Sequence, residues 1–227
     1  MIEKEYYSKK LSALRLKRCY EIASPRIKQY LEAEIQYVLG QIIPSDTVLE
    51  LGCGYGRVLG RLSKKAQTVY GIDISEASII LAQEFLTDLS NVKLQIMNAQ
   101  SLAFADQVFD MVIAIQNGLS AFKGDPNETI KESIRVTKPG GKVLFSSYSE
   151  KIWEERLNWF IQQSKNGLLG EIDLEKSKKG EIICKDGFKA TTYTPEYFSL
   201  LSMKLGLKTE IKEIDQSSIF WIIHVNH

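Results

Sequence analysis

The run Val48-Leu49-Glu50-Leu51-Gly52-Cys53-Gly54-Tyr55-Gly56-Arg57 admits few folds. A mostly apolar stretch reads as a buried strand, three glycines at alternate positions read as a tight turn, and helical spacing resumes at Arg57. Glycine accepts positive φ and has no Cβ, so a ligand can come close to the backbone at such a junction. The acidic Glu50 sits just ahead of the first glycine. A second acid, Asp73, ends the next apolar run, Thr68-Val69-Tyr70-Gly71-Ile72. Two carboxylates at the ends of neighbouring parallel strands suit a nucleoside-containing ligand laid across the strands' carboxyl ends.

The rest of the chain repeats the strand–helix unit. Strands are expected at Thr47–Leu51, Thr68–Ile72, Val92–Met97, Phe109–Ile115 and Lys142–Ser147, the last entered by a turn at Pro139-Gly140-Gly141. Helices are expected at Arg57–Lys65, from a Ser75 cap to Leu89, and at Pro126–Thr137. Ahead of them, residues 9–40 carry two helices broken at Ser24-Pro25, with Gly40 closing the second. Behind them come an amphipathic helix at Lys151–Lys165, a polar loop and a hairpin about Lys185-Asp186-Gly187. A helix opened by Thr194-Pro195 and two edge strands, Leu207–Ile214 and Ile219–Val225, end the chain. The expected fold is α/β: a Rossmann-like, seven-stranded, mostly parallel sheet with an antiparallel edge strand and helices on both faces. The N-terminal helices and the insert after the fifth strand form its cap. We expect one domain over 1–227: a helical lid (1–40), a cofactor-binding core (45–149), a substrate-side insert (150–193), and a final helix with edge strands (194–227).

Several partner classes are disfavoured. The chain has 227 residues and a formal net charge of +1, so no global basic field draws nucleic acid. No apolar run reaches the roughly 20 residues of a membrane span, and the charged start is unlike a secretory signal. Cys19, Cys53 and Cys184 are sparse and unpaired in spacing, which argues against disulfides and against a metal site. A cytoplasmic protein, monomeric or homodimeric, with a small-molecule partner is expected.

Glycine spacing bears on the cofactor. Gly52, Gly54 and Gly56 follow GxGxG, whereas a pyrophosphate-binding turn follows GxGxxG. Arg57 stands where that third glycine would be, which disfavours a nicotinamide-dependent oxidoreductase. Glu50 beside a phosphate would be badly placed, but it suits an ammonium group such as that of S-adenosylmethionine. Asp73 suits two vicinal ribose hydroxyls, and otherwise caps the turn at Ile74-Ser75.

With these motifs in order, the chain resembles the class I S-adenosylmethionine-dependent methyltransferases, of small-molecule type and similar to the quinone-biosynthesis C-methyltransferases. Glu50–Gly56 matches the first motif of that family and Gly71-Ile72-Asp73-Ile74-Ser75 the second. Asn98–Asp110 resembles the segment after the third strand, and Arg135–Val143 the turn into the fifth. The resemblance implies S-adenosylmethionine as cofactor and S-adenosylhomocysteine as product. It implies that Gly52, Gly54 and Tyr55 line the methionine part with Glu50 near its amine. Asp73 then holds the ribose, Ile74 packs on the adenine, and Asn98, Ala99 and Gln100 sit at the adenine edge. Gln116 faces the methionine moiety. Asn98 departs from the family's frequent aspartate, yet its amide oxygen still accepts a hydrogen bond. The alternative is a non-catalytic module that binds the same cofactor as a sensor or partner subunit.

Methyl transfer is an in-line displacement that rests on orientation and water exclusion, so no catalytic dyad is expected and no catalytic residue is assigned. His224 alternates with apolar residues on the last strand, and His227 is terminal; both read as incidental. Acceptor-site candidates are Tyr6, Tyr7, Tyr20, Asn117, Tyr148, Trp153, Trp159 and Tyr193. Tyr6-Tyr7 are expected in a lid that orders on cofactor binding. Arg15, Lys17 and Arg18 read as a solvated helix face, with attraction of an anionic acceptor as the alternative. No Asn-Pro-Pro-Tyr motif follows the fourth strand; the chain there reads Gln116-Asn117-Gly118.

Overall fold

The computed structural model describes residues 11–122, 124–178 and 180–226. Tyr6, Tyr7 and His227, and with them the proposed lid over the first ten residues, lie outside that range. Seven strands make one sheet: β1 (Thr47–Leu51), β2 (Thr68–Asp73), β3 (Val92–Ile96), β4 (Phe109–Ala114), β5 (Thr137–Tyr148), β8 (Thr209–Ile214) and β9 (Ser218–His224). Their order is β3-β2-β1-β4-β5-β9-β8. The strands β1 to β5 pair in parallel, and β9 runs antiparallel to both β5 and β8. The order reverses between β1 and β4, so a crevice opens beyond their carboxyl ends, the place where open α/β sheets bind ligands.

Alternation along the strands builds both faces. Val48, Val69, Met111, Ile113, Leu144 and Phe220 point one way, under α2 (Pro25–Gln41), α3 (Leu59–Leu62) and α4 (Glu76–Phe85). Leu49, Leu51, Ile72, Val112, Val143 and Trp221 point the other way, under α5 (Gly118–Ala121), α6 (Pro126–Val136) and α8 (Pro195–Leu205). A third apolar cluster forms the cap. It joins Cys19 and Ala23 near α1 (Ala13–Glu21), and Ile27, Tyr30 and Leu31 of α2, to Trp159 and Phe160 of α7 (Trp153–Lys165). The hairpin of β6 (Glu181–Ile183) and β7 (Lys189–Thr191) closes its far side through Ile182, Phe188 and Ala190. Helix α2 therefore belongs to the cap at its first turns and to the sheet packing at its last.

Capping chemistry sets several boundaries. Ser24 Oγ accepts from the Ile27 N–H, Ser75 from Ser78 and Thr194 from Tyr197, as the sequence predicts. Three expectations are corrected. Gly40 does not close α2, which runs on through Gln41; the helix ends where Ile42 turns extended to bury its side chain. The helix after the glycine turn is one short turn, Leu59–Leu62, because the chain must reverse by Ala66 to start β2 at Thr68. Pro139-Gly140-Gly141 is not a turn ahead of β5 but an irregularity within it. Thr137 pairs with Phe109, and the register then shifts so that Lys142 pairs with Met111. A Cβ on Gly141 would sit 2.7 Å from the Asp110 carbonyl oxygen, so only glycine fits this close strand pairing.

Candidate functional site

A cavity of about 400 Å³ opens over the carboxyl ends of β1, β2 and β4. Its floor is the glycine turn. Gly52, Gly54 and Gly56 all have positive φ, at 71°, 53° and 84°. A Cβ on Gly54 would stand 2.8 Å from Leu16 Cδ2, and one on Gly52 2.9 Å from the Phe122 ring. The turn is held by Asp73, whose Oδ2 accepts from the Gly54 N–H at 2.9 Å and whose Oδ1 accepts from the Ser75 N–H at 2.8 Å. The capping role considered for Asp73 is therefore real. The carboxylate still keeps acceptor capacity for a ligand donor. Burial raises the Asp73 pKa, against the lowering by these backbone donors.

Glu50 stands at the base of the same cavity, 5% exposed, and its Oε2 has no hydrogen-bond partner. Burial pushes its pKa up to about 8, with Arg57 opposing the rise and Asp73 adding to it. An orphaned, largely desolvated carboxylate is costly to leave unpaired, so it marks a place built for a donor that the chain itself does not supply. Ile74 lines the opposite end with 57% of its surface open, an apolar shelf of the size a flat ring would cover. Asn98, Ala99 and Gln100 flank that shelf. The Asn98 side-chain oxygen already accepts from the Gln100 N–H, and the Gln100 amide donates to the Asp125 carbonyl.

The loop after β4 is the third wall. Gln116 and Asn117 are consecutive non-glycine residues with φ of 58° and 63°. Such backbone is uncommon and persists only when its surroundings over-determine it. Here they do. The Gln116 N–H donates to Glu34 Oε2 at 2.6 Å, and its side-chain oxygen accepts from Arg57 at 2.5 Å. Asn117 accepts from Ser147 Oγ and donates to the Thr191 carbonyl, tying the loop to β5 and to the cap hairpin. Glu34 is fully buried and also receives the hydroxyls of Ser146 and Ser218. Burial lifts its pKa to about 7 despite those donors.

The aromatic candidates separate by position. Tyr20, Tyr55, Tyr148 and Trp159 line the cavity, as does Asn117. Trp153 instead lines a second, smaller cavity of about 190 Å³ on the far side of Tyr148. Tyr193 lines neither; its ring stacks on Tyr197 at 4.9 Å, because its backbone N–H is anchored on Ser147 and turns it toward α8. His224 lies on β9 against Glu210, away from the cavity. Arg15 donates to the carbonyls of Gly167 and Leu168, joining α1 to the segment after α7, and Arg18 pairs with Glu21.

Two contributors escaped the sequence reading. Arg57, read only as a missing glycine, lies with its guanidinium 4.3 Å from the centre of the Tyr20 ring. Glu34 was hidden in α2: Glu32, two residues earlier, is also acidic, and no local signal marked Glu34 as the one that packs beside the buried Leu31, Ile35 and Val38.

Comparison with known proteins agrees with this geometry. Residues 48–141 match the family described as methyltransferase domain. A malonyl-(acyl-carrier protein) O-methyltransferase from Marinomonas sp. (strain MWYL1) is 37% identical over 111 residues, which are 47% of this chain and 39% of the relative. A ubiquinone biosynthesis O-methyltransferase from Pseudomonas fluorescens (strain Pf0-1) is 34% identical over 102 residues, 44% of this chain and 43% of that protein. The chain thus spans about two-fifths of the length of the curated relatives it matches. A solved S-adenosylmethionine-dependent methyltransferase from Methanosarcina mazei shares the fold, with a TM-score of 0.62, 23% identity and coverage of 84% of this chain and 98% of that one.

Proposed function

We propose that this chain, whose residues 48–141 match a methyltransferase domain, transfers a methyl group from S-adenosylmethionine to a small-molecule acceptor. The observation that carries the reading is Glu50: a buried carboxylate with an unpartnered oxygen, beside a glycine turn that a Cβ would obstruct. The donor set fits the cofactor. Glu50 would take its ammonium, Gly52, Gly54 and Tyr55 would line its methionine part, and Gln116 would face that part from the loop after β4. Asp73 would accept from the ribose hydroxyls. Ile74 would cover the adenine face, with Asn98, Ala99 and Gln100 at its edge.

When bound, the cofactor supplies an activated methyl on a sulfonium sulfur. What the chain adds is position and dryness. Glu34 and Arg57 hold the Gln116 loop in a strained shape, so that wall of the cavity is preorganised. The cap cluster covers the cavity opposite the sheet with Trp159, Phe160 and Phe188, rings that would exclude water from a bound ligand. The relatives named above act, by their names, as O-methyltransferases, which supports an oxygen acceptor here.

Calorimetry with S-adenosylmethionine and with NAD tests the cofactor, and methyl transfer from labelled cofactor across a panel of small acceptors tests the activity. We expect micromolar binding of the first alone, and turnover with at least one acceptor. Binding of NAD in its place would overturn the reading.

A further inference from the structure

Resting on that reading, we infer that the acceptor is a flat molecule without positive charge whose hydrogen-bonding oxygen or nitrogen meets Gln163, and that an amine cation is rejected. The cavity is lopsided. Its charged lining residues among those described are Glu50 and Asp73 at the glycine-turn end and Arg57, which reaches from the turn onto Tyr20. From the turn toward the cap runs a row of rings. Tyr55 lies 6.3 Å from Tyr20, Tyr20 lies 6.2 Å from Trp159, and Trp159 lies 5.8 Å from Phe160, which in turn lies 6.1 Å from Phe188. Such a surface covers an apolar face well and gives a buried cation nothing to pair with.

Aromatic rows can also hold cations, but here the guanidiniums have taken that role. Arg57 lies 4.3 Å from the centre of Tyr20, and Arg156 lies 4.3 Å from that of Tyr148 and 5.6 Å from Phe160. Each places positive charge against a ring that faces the cavity, so an ammonium entering there meets like charge rather than a bare ring face.

Gln163 supplies the polar contact. It lies on α7, lines the cap end of the cavity and is only 3% exposed. Its side-chain amide makes no hydrogen bond to any described residue, while its neighbour Trp159 has already spent its ring N–H on the Cys19 carbonyl. A buried amide with two donors and an acceptor is expected to find a partner. The partner left to it is the ligand.

The test holds the full chain at saturating S-adenosylhomocysteine and titrates catechol and benzylamine by calorimetry at pH 7. Catechol is expected to bind at least tenfold tighter than the benzylammonium ion. Gln163→Leu, which keeps the volume, is expected to weaken catechol about tenfold, with S-adenosylhomocysteine affinity serving as the measure of intact folding. Gln163→Glu is expected to reverse the preference toward benzylammonium. The inference is overturned if catechol does not bind, if benzylammonium binds as well, or if Gln163→Leu leaves catechol unchanged. Failure of S-adenosylhomocysteine itself to bind would instead overturn the proposed function.

Discussion

Glu50 concentrates the electrostatics of the site in one side chain. Its pKa, raised to about 8 by burial, means that the folded, ligand-free protein holds a proton there that an unfolded chain would release above about 4.5. A carboxyl raised in this way stabilises the fold fully below its unfolded value, and that contribution is lost as pH rises through the folded one. Glu34, raised to about 7, works in the same direction. The melting temperature of the ligand-free protein is therefore expected to fall between pH 5 and pH 8, and Glu50→Gln is expected to flatten that slope in a pH series of thermal melts. The same substitution removes the negative charge offered to the cofactor's ammonium. Isothermal calorimetry at pH 8 should show affinity for S-adenosylmethionine reduced at least tenfold. Equal affinity in the variant would mean that the ammonium lies elsewhere.

Elements differ in how much of their form a sequence shows. Caps were legible, because Ser24, Ser75 and Thr194 act on N–H groups three residues away and need no tertiary partner. Ser24→Ala is expected to cost about 1 kcal/mol in urea unfolding, since α2 then loses its N-cap. The glycine turn was legible for the same local reason, and all three of its glycines have positive φ. Gly56→Ala is expected to cost about 1–2 kcal/mol from left-handed backbone alone. The new Cβ would also sit 2.5 Å from Leu86 Cδ1, so the measured loss in urea unfolding should lie at the upper end. The ends of α2 and α3 and the start of β5 were not legible. Each is decided by what the next segment must reach: a buried Ile42, the first residue of β2, and a shifted pairing against β4.

At the scale of the whole molecule, the cavity lies between a sheet and a cap that come from distant parts of the chain. A ligand that fills it should tie the two together and stabilise both. At a concentration 100 times its dissociation constant, such a ligand adds about 2.7 kcal/mol to stability. For a chain of this size that is roughly 5–10 °C in melting temperature. S-adenosylhomocysteine is expected to give a rise of that order in differential scanning calorimetry, and NAD none. The sequence by itself determined the strand–helix alternation, the glycine turn, the two acids Glu50 and Asp73, and hence the end of the sheet at which a ligand sits, because periodicity, capping and turn chemistry act over a few residues. Only the tertiary structure decided which aromatics face the cavity. It turned Tyr193 toward α8, set Trp153 behind Tyr148, brought Arg57 onto Tyr20 and left the Gln163 amide open. Those outcomes depend on how α1, α7 and the hairpin pack over the sheet, and residues more than a hundred positions apart in the chain carry no local mark of the partner they will meet.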